Sequence, residues 1–374
     1  MKRVVSVMVG CISSIMMFWS ISVSAQVGWS QNSWPQTDFL RRSVELGEIR
    51  GGGPPKDGIP AIDSPNFDNI QTASSWINAL EPVIAVEVDG IARAYPLQIL
   101  TYHEIVNDKI NDTPLTITFC PLCNSSIVFD RRNGAYVLDF GTTGLLRMSD
   151  LVMYDRQTES WWQQFSGKAI IGQMVGAELK RIPSAIVSFD TFSKGFPDGM
   201  VLNRDTGHSR PYGRNPYAGY DRIDQTPFLF DRQVDDRLLP MERVLTVSFD
   251  KVTRAYPFEL LKRDRVINDE IAGNSIVIFA GGELYSTLDA SNIVESRHLV
   301  EATAWGRIPA GASKALNFEV KRGQIHDTQT GSQWNALGQA IMGEMKGTQL
   351  KVVESGVYFA FAWLAFHPDT EIYR

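Results

Sequence analysis

The stretch "TFCPLC" places Cys120 and Cys123 two residues apart, a short way after a histidine and a glutamate, His103 and Glu104. Two thiolates, an imidazole and a carboxylate can supply three or four ligands to one ion. Thiolate with imidazole favours Zn, Cu or Fe over the hard cations. The sequence therefore predicts a Cys2His-type transition-metal site held by Cys120, Cys123 and His103, with Glu104 as a fourth ligand or a catalytic proton acceptor. With so few ligands a coordination position stays open, which suits a metalloenzyme or a metal carrier better than a structural brace. Two other chemistries use the same pair. A strand running into Cys-Pro-x-Cys has the outline of a thiol–disulfide redox site, although "NSSIVF" after Cys123 has the composition of turn and strand, and that site wants a helix there. An even pair of cysteines in an exported chain also fits a structural disulfide within a ligand-binding module. Covalent c-type haem is excluded, because Asn124 stands where a histidine is required.

Internal similarity sharpens the choice. "VIAVEVDGIARAYPLQIL" (83–100) matches "VLTVSFDKVTRAYPFELL" (244–261), "EIVND" (104–108) matches "RVIND" (265–269), and "LTITF" (115–119) matches "SIVIF" (275–279). "LDF" (138–140), "YDRQTESWWQQFSGKAI" (154–170) and "FPD" (196–198) find "LNF", "HDTQTGSQWNALGQAI" and "HPD" later in the chain, in the same order. Ordered matches of this kind predict an internal duplication. Features in both stretches then serve the fold, and features in one serve something else. After Phe279 the second stretch has "AGGE", with Ala280 set against Cys120 and Glu283 against Cys123, while Asp264 and Arg265 stand for His103 and Glu104. All four site residues are thus missing together. Asp155, Thr158, Ser160 and Trp162 recur as Asp327, Thr330, Ser332 and Trp334, which marks them as structural. "GTTGLLRMSD" (141–150) falls where the first stretch is six residues longer, and its Arg147 is a candidate for the rim of the site.

The elements that must position these groups are short. Asp89-Gly90 supplies the positive φ of a tight hairpin between strands 83–88 and 91–95. Pro96 opens a short helix over 97–103. Strands are predicted over 115–119, 126–129, 135–140, 151–154, 169–174 and 186–189. The fold class is α+β, β-dominated, as two tandem pseudo-repeated domains: a signal peptide (1–25), an N-terminal extension (26–75), a first repeat with the Cys/His site (76–198), an inter-repeat loop or lid (199–242) and a degenerate second repeat (243–374). The loop alternates aromatics with arginines, and its His208, Arg210 and Tyr212 are further candidates for the rim.

Composition limits the rest. A formal charge of −6, with 44% hydrophobic residues, describes a globular protein without the clustered basic surface that nucleic acid needs, which leaves an unknown small molecule or a metal ion as partner. Lys2 and Arg3, an apolar run to Val23 and the small residue Ala25 predict a cleaved signal peptide, hence a periplasmic or secreted protein with no membrane span after cleavage. "YHEIVND", "TFCPLCNSSIVF", "MYDRQTESWW" and "GFPD" together resemble a widespread bacterial and archaeal family of exported proteins of unknown function. In that family Tyr often precedes the first cysteine and Gly often follows the second; here Phe119 and Asn124 stand instead. The resemblance supports the site and implies no activity.

Overall fold

The computed structural model describes residues 29–374. The predicted signal peptide lies outside the described residues. Among the described residues no helix is long and apolar enough to cross a membrane.

Among the described residues the fold is β-dominated with a few helices of at most seven residues, in keeping with the short apolar runs and turns of the sequence. In the first half, β1 (Pro82–Val88) and β2 (Ile91–Pro96) form the hairpin, with Asp89 and Gly90 both at positive φ. Pro96 caps α1 (Leu97–His103), whose C-terminal Glu104 takes the left-handed conformation (φ 57°) and turns the chain into β3 (Ile105–Ile110). Then β4 (Thr113–Cys120) and β5 (Ser125–Asp130) pair in register, Cys120 opposite Ser125, around the four-residue turn 121–124. The next hairpin, β6 (Phe140–Arg147) and β7 (Asp150–Asp155), belongs to a separate five-stranded sheet. Of the strand expected over 135–140, a two-residue strand at Tyr136–Val137 forms, paired with Arg132–Asn133, and β6 begins only at Phe140, with a bulge between Thr142 and Leu145. Likewise the strand predicted to end at 189 stops at Ser188, whose side chain caps a helix over Phe189–Gly195.

The second half repeats the run. β8 (Arg243–Phe249), β9 (Val252–Pro257), α2 (Phe258–Asp264) and β10 (Val266–Ile271) follow each other as β1, β2, α1 and β3 do. Side-chain contacts recur with them. Asp108 accepts from Arg93 and from Tyr95 (2.6 Å), and Asp269 from Arg254 and Tyr256 (both 2.6 Å). Asn107 bonds both backbone groups of Phe140, and Asn268 both of Phe318. Asp155 holds Thr158 and the Trp162 indole as Asp327 holds Thr330 and the Trp334 indole. These pairs fix strand ends and turns, which is why both halves need them.

The halves part at the cysteines. β11 (Asn274–Tyr285) runs on through a bulge between Phe279 and Gly282 where β4 turns back. The hydrogen bond from Ala280 N to Arg265 O (2.7 Å) matches that from Phe119 N to Glu104 O (2.8 Å). Ala280 therefore takes the place of Phe119, and Gly281 that of Cys120, one residue from the sequence alignment.

Candidate metal site and cleft

The Cys120–Cys123 turn is held from every side. Asn124 N donates to Pro121 O (3.3 Å), the Tyr220 hydroxyl to Leu122 O (3.2 Å) and Phe359 N to Cys123 O (3.0 Å). Asn124 sits at φ 50°, a conformation that Gly and Asn accept most readily. Behind the turn, α3 (Ala360–Phe366) packs Phe361 and Trp363 into one apolar cluster with Cys120, Cys123, Trp162 and Phe165. Both sulfurs are buried and neither is in a disulfide.

Beside the two sulfurs lies Asp150, which no motif in the sequence marks. Arg147 pairs with Asp150 across a two-residue turn of Met148 (φ 53°) and Ser149 (φ 68°). A turn with both central residues at positive φ normally carries Asn and Gly, so these two side chains hold the backbone at some cost. The turn brings Ser149 O to 3.9 Å from Cys120 Sγ and an Asp150 carboxylate oxygen close to both sulfurs, the three ligand atoms lying within 4.8 Å of one another. Asp150 Oδ2 accepts from Gln163 (2.6 Å) and Phe165 N (2.9 Å), whereas Oδ1 is buried with no hydrogen-bond partner. Asp150 closes the stretch by which the first half is six residues longer, so the second half lacks it together with the cysteines.

Glu104 lies next to this group. Its Oε1 accepts from the Tyr217 hydroxyl (3.3 Å), and burial, reinforced by the charge of Asp150, pushes its carboxyl up to about 8. Burial likewise pushes Asp150 up to about 7 and raises both thiols, Cys123 strongly. Desolvation disfavours each charged form, and the charges acting on the thiols are those of neighbouring acids. Four acidic groups thus crowd one buried spot without a cationic side chain among their partners.

The other predicted residues are elsewhere. His103 does not join the sulfurs. Its Nδ1 faces Pro60 O (2.7 Å), an acceptor only, so Nδ1 carries the proton and Nε2 accepts from the Tyr212 hydroxyl (2.6 Å). Burial holds this ring neutral, down to about 4. Tyr212 also bonds Thr206 (2.6 Å), and the His208 ring lies 5.4 Å from that of His103. His103 and Tyr212, with the His208 ring beside them, therefore tie the loop 203–215 to α1, while Arg210 is exposed. Arg147 binds Glu48 (2.8 Å) and Gln163 (3.3 Å), one link away from Asp150.

Above the site opens a cleft of about 590 Å³. Glu104, Leu122 and Leu151, chain neighbours of the site residues or next to them, form its floor; Gly52, Pro54, Ile59 and Gly144–Leu146 make one wall, and Pro216–Tyr220 with Phe228 the other. Tyr217 and Tyr220, aromatics of the inter-repeat segment, are the residues of that segment that reach the site. The first wall depends on Gly144, at φ 73°, where a Cβ would collide with the Pro54 carbonyl; Gly52 N donates to Gly144 O (2.8 Å). Gly144→Ala is expected to cost about 3 kcal/mol in chemical denaturation, from backbone strain plus overpacking. Gly53→Ala, at φ 112° with open space around it, is expected to cost about 1 kcal/mol from strain alone.

Comparison with known proteins adds one finding. A family model described as a protein of unknown function (DUF3179) matches residues 56–370. No curated protein and no solved structure matches the chain.

Proposed function

The chain belongs to the DUF3179 family of unknown function, and we propose that it is an exported metal-binding protein whose zinc ion is held by Cys120, Cys123 and Asp150. The observation that carries this reading is the buried, unpartnered Asp150 Oδ1 beside two buried thiols. A buried carboxylate oxygen without a partner is costly, and a cation bridging it to two thiolates removes the cost. The donor set is mixed, two sulfurs and an oxygen. Zinc accepts such a set, whereas Cu(I) prefers soft donors throughout. Three protein ligands leave a fourth position for water or a ligand atom, an arrangement of catalytic rather than structural zinc. Glu104, on the cleft floor and hydrogen-bonded to Tyr217, is the group to take or give a proton there.

The redox reading fits less well. A reactive thiol needs a lowered pKa, and here burial raises both; β5, not a helix, follows Cys123. Metal carriage fits less well too, since a carrier needs an exposed site. The export reading rests on the basic, apolar and small-residue pattern of residues 1–25, and the recurrence of elements and contacts in the two halves supports an origin by duplication.

The test is metal analysis of natively purified protein, with one equivalent of zinc expected. His103→Ala is expected to keep the zinc, because its ring nitrogens serve Pro60 and Tyr212, while loosening the loop 203–215, detected as faster amide exchange. Metal-free protein with a Cys120–Cys123 disulfide would refute the reading.

A further inference from the structure

We propose that the cleft takes an uncharged, largely apolar small molecule, with its one polar end, a carbonyl or hydroxyl, at the Glu104 floor. This rests on the zinc reading for what happens at that floor; the binding preference rests on the cleft itself. Its volume, about 590 Å³, falls within the range of small-molecule sites. The walls are mainly Ile59, Leu145, Leu146, Leu151 and the rings of Tyr217 and Phe228, with Gln225 and Thr226 as polar members. Burial against them favours a hydrocarbon body.

Charge decides the rest. No Lys, Arg or His lines the cleft. A carboxylate or phosphate entering it would lose its water without gaining a cationic side-chain partner, and would approach Glu104 above a zinc ion whose charge two thiolates and the Asp150 carboxylate already outweigh. A cation would find a single carboxyl, already shared with the Tyr217 hydroxyl. The Tyr220 hydroxyl is spent as well, donating to Leu122 O and accepting from Phe228 N (3.1 Å). The floor can therefore satisfy one neutral polar group, and the polar side chains of the walls, Gln225 and Thr226, are uncharged.

The experiment is calorimetric titration of the purified full-length mature protein with 1-octanol, octanoate and octylammonium, three probes with one chain and different heads. Octanol is expected to bind at least tenfold more tightly than either ion. Ala218→Trp, at an exposed position of the cleft wall, is expected to weaken octanol tenfold or more at unchanged zinc content and melting temperature. Phe228→Lys, at the exposed mouth, is expected to raise octanoate affinity relative to octanol, and serves should the tryptophan variant not fold. Octanoate or octylammonium binding as tightly as octanol, or octanol binding indifferent to both substitutions, would overturn the proposal. The zinc content of the same samples separates the two readings. Octanol binding blocked by Ala218→Trp in zinc-free protein upholds the ligand class and sinks the zinc site, whereas a zinc-loaded protein that ignores octanol does the reverse.

Discussion

Cys120→Ala and Cys123→Ala are each expected to lower zinc affinity by a hundredfold or more, and the double variant to be purified without metal. Three or four ligands sharing a binding free energy of about 10–16 kcal/mol are worth about 3 kcal/mol or more apiece. The packing cost is smaller. Both side chains are buried in the cluster around Phe165 and Trp363, and trimming a sulfur there leaves a small void worth about 1 kcal/mol. The signature is therefore not the loss of stability but its dependence on metal: a chelator is expected to lower the melting temperature of the wild type and to leave the double variant unchanged. Asp150→Asn keeps the shape and supplies a neutral oxygen, so it is expected to weaken zinc binding less than either cysteine change. An unchanged zinc content in the cysteine variants would place the metal elsewhere.

Metal-free protein is expected to lose stability as pH rises from about 6.5 to about 8, by about 2 kcal/mol, whereas between about 4 and 6.5 the buried neutral rings of His103 and His367, both held down to about 4, work in the opposite direction. Glu104 and Asp150 have folded-state values of about 8 and about 7, against ordinary values of 4.5 and 3.8. Between the ordinary and the raised value the folded state holds more protons than the unfolded chain, so stability falls as pH climbs through that window. This is the reverse of the usual paired carboxylate, whose stabilisation is lost on acidification. Glu104→Gln is expected to remove its share of the slope and to stabilise the metal-free protein near neutrality. Zinc inverts the trend, because the ion displaces protons from the thiols and from Asp150 and binds more tightly as pH rises. Chemical denaturation across this range, with and without chelator, measures both slopes; a metal-free stability that rises with pH between about 6.5 and about 8 would contradict the account.

Local signals carried part of this structure and not the rest. Asp89-Gly90, Pro96 and the apolar alternation around them located the first hairpin to within one residue and α1 to the residue, because turn chemistry and proline geometry act within a few positions. The absence of Cys120 and Cys123 from the second half set them apart from the shared scaffold. Asp150 stayed hidden because Met148 and Ser149 carry no turn signature, although both adopt positive φ. Its position at the end of the longer stretch was the one available hint. His103 was misassigned for a different reason: a histidine beside a glutamate looks like a ligand, and only the fold reveals the Pro60 carbonyl that takes its Nδ1. Tyr217 meets Glu104 across more than a hundred residues, a pairing that no local spacing encodes.

The most direct measurement is X-ray absorption at the zinc edge of natively purified protein. The expected result is one zinc per chain with two sulfurs at about 2.3 Å and oxygen at about 2.0–2.2 Å. A zinc shell without sulfur, or a metal-free protein with Cys120 and Cys123 joined, would contradict it.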